Sequence, residues 1–550
     1  MKKSSRLKNT TSKKRCSKGI ISASIVASLF TSLSYAAQIP EGVELAKEQY
    51  LVRNNDADVA TLDPPRAEGL PEMHVLRDLF EGLVIQDSDG NVIPGVATSW
   101  ETSDNQTFTF QLREDAKWSD GTLITANDFV YSIKRAVNPE FGAENGWYYK
   151  MTQIKNMKNI LAGEAAVDSL GVTAKGKHTI VFTLEQPVPY FVPMLAHSSF
   201  MPVPKHAIEE YGEEWLKPEN LISNGAFTVE KRIINERIEL VKNPNYWDHA
   251  NTVIDKVTFL SIESQNSSLT RFKSGEIDIT SDVPAQMAKA LKSESEYTVT
   301  PLLCTEYYAF NTQRKPFDDA RVRKAISYSV LRDVITNGVT QVGNLPAYTF
   351  THKHVAGFKA SAPEYSQWTQ EQRNKKAKDL LNDAGYGKDN PLKFDLVYPS
   401  SDKNKSVAVA IASMLKKNLG IDVVLENQEW KAYLATRKAG EFDVLRASWC
   451  GDYNEPSTFL SLMTSGNSGN RAFFKNTTYD ELIDQSLTAP SANARNKIYD
   501  QAEQVLATEM PLAPIYFHMQ ARMVRDNVGG FPVNNVEGRI YSKDLYIKAL

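Results

Sequence analysis

The chain has 550 residues, enough for two or three domains, with 63 basic and 66 acidic residues and a formal net charge of −3. The charge is unevenly placed. Eight basic residues and no acidic ones stand in residues 1–18, so the chain beyond residue 37 carries 55 basic against 66 acidic residues, a net −11. That balance argues against nucleic acid and anionic lipid as partners.

The basic start is followed by an apolar run, residues 19–33, and then by Ser34-Tyr35-Ala36-Ala37. This is the pattern of a secretory signal peptide spanning residues 1–37, cleaved after Ala36 or Ala37. The run is short for a bilayer span, and no later segment approaches 18 uninterrupted apolar residues. Cys16 precedes the apolar core, so it does not stand where a lipidated cysteine would. The expectation is a soluble protein without a membrane anchor, free in a closed compartment, the Gram-negative periplasm. Only Cys304 and Cys450 remain after cleavage. Two cysteines in an oxidising compartment favour a disulfide over two buried free thiols. Closing so long a loop would restrain the unfolded chain by about 4–5 kcal/mol in the entropy model.

Strand and helix signals alternate through the rest of the chain. Asp87-Ser88-Asp89-Gly90-Asn91 resembles the start of a calcium loop but lacks the later glutamate, and reads as a turn between strands. Residues 105–112 alternate as a strand, with Phe108, Phe110 and Leu112 on one face. Thr125 and Asp128 then form a capping-box variant opening a helix. Glu209-Glu210 and Glu213-Glu214 read as solvated helix faces. The clearest architecture is at 392–449: strand 392–398, helix 403–419 ended by Gly420, strand 421–425, helix 429–438, strand 442–449. This β-α-β-α-β order predicts a parallel sheet carrying helices, with ligands bound outside the carboxyl ends of its strands. Residues 450–456, Cys-Gly-Asp-Tyr-Asn-Glu-Pro, stand at such an end.

Catalytic signatures are absent: no Gly-x-Ser-x-Gly, no Gly-x-Gly-x-x-Gly, no P-loop. The eight histidines do not cluster, and His352-x-His354, without a nearby acidic or thiol ligand, reads as a solvated loop rather than a metal site. No cofactor is implied. What remains is a charge pattern. Arg437 sits near a helix end, Arg446 within the next strand, and Asp452 just after it. A zwitterionic peptide carries one ammonium and one carboxylate, each needing an opposite charge on burial. Asp suits the first, and the two-pronged Arg the second. Surface residues or structural ion pairs would give the same pattern.

Several stretches carry a resemblance that covers nearly the whole chain. They include Asp78-Leu-Phe-Glu-Gly-Leu83, Ala116-Lys-Trp-Ser-Asp-Gly121, Asn224-Gly-Ala-Phe227, Asn243-Pro-Asn-Tyr-Trp247, Ser274-Gly-Glu-Ile-Asp278, Asn427-Gln-Glu-Trp430 and Trp449-Cys-Gly-Asp-Tyr-Asn-Glu-Pro456. On them the chain resembles the periplasmic oligopeptide-binding proteins of peptide ABC transporters, extracellular solute-binding protein family five. The resemblance implies a bilobal α/β periplasmic binding protein fold with an extra third domain, closing about a hinge over its ligand. It implies lobe I from 38–80, 206–303 and 520–550, an extra domain at 81–205, and lobe III at 304–519. It also implies the Cys304–Cys450 disulfide, short peptides as ligands, and an inner-membrane ABC permease with its ATPase as partners of a monomeric, non-enzymatic receptor.

By the same resemblance, Asp452 receives the peptide α-ammonium, and Arg437 and Arg446 meet carboxylates. Glu68-Gly69-Leu70 and 447–450, from Ala447 to Cys450, pair with the peptide backbone like neighbouring strands. Trp430, Trp449, Tyr307 and Tyr148 line side-chain pockets, roomy and wet enough for varied sequences. The chain departs from the family at Pro399, Asn404 and Leu302, where Asn, His and Tyr are usual, so peptide length and preference stay open. The runs 456–460 and 465–470 are closer to the branch that binds cell-wall (murein) peptides, an alternative ligand. A haem-, metal- or glutathione-binding member of the fold, an exported peptide hydrolase, and a chaperone or signalling role are the remaining rivals.

Overall fold

The computed structural model describes residues 37–550 except Glu68, Glu144, Ser468 and Leu550, and not the side chains of Asp402, Trp430 and Lys431. The expected leader and its cleavage site at Ala36, the expected backbone contact at Glu68 and the pocket role of the Trp430 side chain fall outside the described residues.

Three larger sheets, beside two two-stranded ones, organise the described residues. The first joins strands Tyr50–Asn54, Lys256–Leu260, Arg237–Lys242 and Phe227–Ile233 in that spatial order. The chain's late residues complete this lobe: Leu45 bridges Lys548, and the Gln49 side chain holds both backbone groups of Ile547 at 2.8 and 2.9 Å. The second sheet joins Ala97–Glu101, Thr107–Leu112, Thr179–Thr183 and Val172–Ala174. Phe108, Phe110 and Leu112 face its core, as the alternation requires. The Asp128 carboxylate accepts from the Thr125 N–H at 2.7 Å, opening helix Ala126–Val137. Asp87–Asn91 is the turn of a hairpin, its Asp87 carboxylate accepting from the backbone of Asp89 and Asn91.

Several motifs that carry the family resemblance meet in the walls rather than in a binding site. Glu81 accepts from the Tyr246 hydroxyl at 2.5 Å and the Trp247 indole at 2.7 Å. The Asn224 side chain donates to the Glu81 carbonyl at 2.8 Å, and the Asn243 side chain to the Gly225 carbonyl at 2.9 Å. A Cβ at Gly225 would lie 2.6 Å from the Asp78 carbonyl oxygen, so only glycine allows this close approach.

The third sheet has six strands: Leu345–Pro346, Leu512–Met523, Tyr297–Phe310, Val444–Cys450, Lys393–Pro399 and Asp422–Gln428. The β-α-β-α-β unit is present where the sequence predicts it. Helix Asp402–Leu419 stops at Gly420 in the left-handed region, φ 72°, and Lys393–Pro399 runs parallel to both neighbours. The rest of the sheet is antiparallel. Tyr297–Phe310 and Leu512–Met523, 14 and 12 residues long, pair with one another and lead from the first lobe into the third sheet. They are the crossing segments of a bilobal α/β fold. Two apolar clusters lie on opposite faces of this sheet, one with Leu396, Ile411 and Val444, the other with Leu445, Ala447 and Phe459.

One expectation is overturned. His352 does not lie in a solvated loop: it is 1% exposed, its ring 4.6 Å from that of Phe517, and burial lowers its pKa to about 3. The covering ring comes from a strand far along the chain, which local polarity could not reveal.

Candidate functional site

The strand Val444–Cys450 sits mid-sheet, and its alternation sorts the candidate residues between two faces. Leu445 and Ala447 are buried in the apolar cluster with Trp449 packed against it. Arg446 points to the other face. There it forms a two-pronged pair with Glu306 of the neighbouring strand, Nε to Oε1 and Nη2 to Oε2 both 2.5 Å. His518 adds a contact to Oε2 at 3.3 Å. Glu306 is held below the ordinary carboxylate range by Arg446 despite burial, and Arg446 itself is pushed up by Glu306. Arg446 is therefore already committed to an internal carboxylate. Lys403, exposed in the first turn of helix Asp402–Leu419, adds a cation near Glu306 and Asp282.

The strand ends in a staple. Cys304 and Cys450 are direct cross-strand partners and form a disulfide. The next residues are fixed by side chains: Asp452 N–H donates to Thr458 Oγ1 at 3.0 Å, the Trp449 indole to the Thr458 carbonyl at 2.7 Å. The Asn454 side chain accepts from Ala356 N–H at 2.7 Å, and Glu455 from the Tyr499 hydroxyl at 3.0 Å. Within this braced turn the Asp452 carboxylate is the exception, since Oδ2 is buried without a hydrogen-bond partner. Burial pushes its pKa up to about 7, with Arg539 opposing and Glu537 adding to the rise. A buried carboxylate oxygen with no partner is costly unless a cation meets it.

Tyr148 stands beside Asp452, fully buried, its hydroxyl donating to the Met194 carbonyl at 2.8 Å and its ring 4.3 Å from that of His197. Its neighbour Trp147 meets Trp449 edge to face, centroids 5.7 Å apart. These two indoles border a cavity of about 710 Å³, a volume typical of ligand sites. Arg437 and Arg471 also line it, together with Lys438 and Lys475, and no described Asp or Glu does. The Arg437 Nε is buried without a partner. A second cavity of about 550 Å³ shares Trp147, Met151, Gly466 and Asn467 with the first and is bordered by the stacked Tyr190 and Tyr453.

The remaining candidates are less central. Gly69 is extended and caps helix Leu70–Leu79, with Leu70 55% exposed. Tyr307 is buried against Phe350 at 5.1 Å. Leu302 is partly exposed, Pro399 is buried, and the Asn404 side chain donates to the Pro399 carbonyl at 2.9 Å. Sequence reasoning missed Trp147, Arg471, Glu537 and Arg539. No local pattern marks them, because each acquires its role from partners far along the chain.

A partnerless buried carboxylate in the turn just after the strand, with a cation-lined cavity at Trp449 of the same strand, is an arrangement that suits a binding protein for a charged ligand. Comparison with known proteins agrees. The model of bacterial extracellular solute-binding proteins, family 5 (middle) matches residues 91–471, and the chain belongs to this family. It is 46% identical over 544 residues to the periplasmic oligopeptide-binding protein OppA of Salmonella typhimurium, covering 98% of this chain and 99% of that one. The structure of the Escherichia coli murein tripeptide binding protein MppA matches with a TM-score of 0.84 at 46% identity, over 92% of this chain and 100% of that one. Haemophilus influenzae OppA in complex with RPPGFSPFR matches with a TM-score of 0.81 at 41% identity, over 92% and 100%. The ligands named for these relatives are oligopeptides and a murein tripeptide. Among the described residues of this chain, no helix is long and apolar enough to cross a membrane, and no group of three or more His, Cys, Asp or Glu is placed to hold a metal ion.

Proposed function

We propose that this protein is a periplasmic receptor that captures short peptides and delivers them to an inner-membrane ABC permease and its ATPase. The observation that carries the reading is the buried, partnerless Asp452 Oδ2 in the turn after the third-sheet strand, the complement of an α-ammonium. The peptide chain runs beside Ala447–Cys450 and Gly69–Leu70, its side chains in the cavities bordered by Trp147, Trp449 and Tyr453, and its carboxylate toward Arg437. The protein does no chemistry on the peptide and works as a monomer, exported by a cleaved leader over residues 1–37 and not lipidated. Lobe I comprises 38–80, 206–303 and 520–550, the extra domain 81–205, and lobe III 304–519.

Calorimetry with Ala-Ala-Ala and its Nα-acetylated form tests the reading. The free amine binds, and acetylation weakens binding about 100-fold or more, the size of a lost buried charge pair. Equal binding of the two forms would sink it. One observation favours a second reading: the cavity near Arg437 has four cations and no described carboxylate in its lining, which suits peptides with additional acidic groups, such as the murein tripeptide. Competition between that tripeptide and Ala-Ala-Ala separates the two, the winner at equal concentration naming the preferred class.

A further inference from the structure

Arg539 lies outside the strand and turn that carry Asp452, in the late segment just after Gly538, whose φ is +66°. Its side chain is 4% exposed, and both terminal nitrogens are engaged. Nη2 donates to the Asp452 backbone carbonyl at 2.7 Å and lies 2.5 Å from Glu537 Oε2. Nη1 donates to the Ala196 carbonyl at 2.8 Å. Glu537, 2% exposed, is held in turn by the Gln86 side chain at 2.5 Å. One planar fork therefore ties together three stretches of chain: the turn after the third-sheet strand, the segment that carries Ala196 and His197, and the late segment around Glu537.

These contacts can all be made only when the stretches stand as they do here. The Asp452 peptide is gripped on both sides, by Thr458 at its N–H and by Arg539 at its carbonyl, so the direction of its carboxylate depends on Arg539 being in place. We propose that Arg539 is a positioning residue that fixes the aim of the Asp452 carboxylate by holding the Asp452 backbone carbonyl against the stretches that carry Ala196 and Glu537. With the fork in place the carboxylate is held for an ammonium. This inference rests on the peptide-binding reading for the identity of the cation and on geometry alone for the positioning.

The charged and titratable groups around Asp452 are Arg539 and Glu537 on the late segment, Tyr148 on its helix, His197 beyond it, and Arg77 behind Arg539. Of these, Arg539 is the cation that favours ionised Asp452. The test compares wild type, Arg539→Gln and Arg539→Lys. Calorimetry with Ala-Ala-Ala from pH 5 to 9 is paired with a titration of Asp452 in the ligand-free protein, read by carbon-13 NMR of labelled aspartate carboxyls. Thermal melting checks that each variant folds.

For Arg539→Gln, tripeptide affinity at pH 7 falls about ten- to hundredfold, the size of a lost charge-assisted hydrogen bond. Both the binding midpoint and the Asp452 titration move up by about one pH unit. Arg539→Lys keeps the charge but not the fork, so its midpoint stays near wild type while affinity drops at every pH. For Arg539→Gln, an affinity lowered equally at all pH values with the Asp452 titration unmoved marks a purely structural role and overturns the inference. Should Arg539→Gln not fold, Arg539→Met takes its place: an Asp452 titration unmoved from wild type overturns the inference. If wild type fails to bind the tripeptide, the peptide reading falls, while the ligand-free titration still decides whether Arg539 governs Asp452.

Discussion

Replacing Asp452 by Asn separates what the carboxylate does for binding from what it does to the fold. Burial pushes this group from an ordinary 3.8 to about 7, a difference of about three in pKa and so roughly 4 kcal/mol. The sign follows from proton counting. Between pH 4 and 7 the unfolded chain has released the proton that the folded chain still holds. The ligand-free protein therefore loses stability as pH rises through that window and then levels off. Asn carries no charge to desolvate, so Asp452→Asn stabilises the ligand-free protein by up to about 4 kcal/mol at pH 7. For a chain of this length that raises the melting temperature by about 3 °C. Peptide binding moves the other way. The ammonium would be left buried without its counter-charge, a loss of about 3–5 kcal/mol. Calorimetry with a tripeptide and melting curves at pH 5 and 8 check both halves. Unchanged affinity would refute the ligand role of Asp452. Equal melting shifts at the two pH values would refute the desolvation account.

Affinity for free-amine peptides rises about tenfold per pH unit below pH 7 as Asp452 ionises, then levels off, whereas Nα-acetylated peptides show a flat profile. Replacing both Cys304 and Cys450 by Ser lowers stability by about 2–5 kcal/mol in urea unfolding, and weakens peptide binding because the braced turn carrying Asp452 begins at the staple. Trp147→Ala removes the edge-to-face contact with Trp449, worth about 0.5–1.5 kcal/mol. Tripeptide affinity then drops several-fold, and small-angle scattering shows the ligand-bound protein more open than wild type.

Legibility followed the range of the interactions involved. The 392–449 unit could be read because its signals are local: apolar periodicity, a left-handed glycine at 420, and short connections. The antiparallel half of the same sheet could not, since Tyr297–Phe310 and Leu512–Met523 find each other across some two hundred residues. Within the site, Asp452 was visible from its place at a strand end together with the family motif around it. Arg446 was visible as a cation near a strand, but not as a paired one, because Glu306 lies 140 positions away. Arg539 was invisible for the same reason, its contacts lying 87 and 343 positions off.

The way the first lobe is finished has a further consequence. Its edge near Leu45 and Gln49 is completed by Ile547 and Lys548, and the third sheet needs the strand Leu512–Met523. Neither half can reach its native pairing while those late residues are still on the ribosome. Early synthesis therefore yields no finished lobe. The Cys304–Cys450 staple, which joins two strands of that same sheet, forms on a framework completed by the last part of the chain to be made.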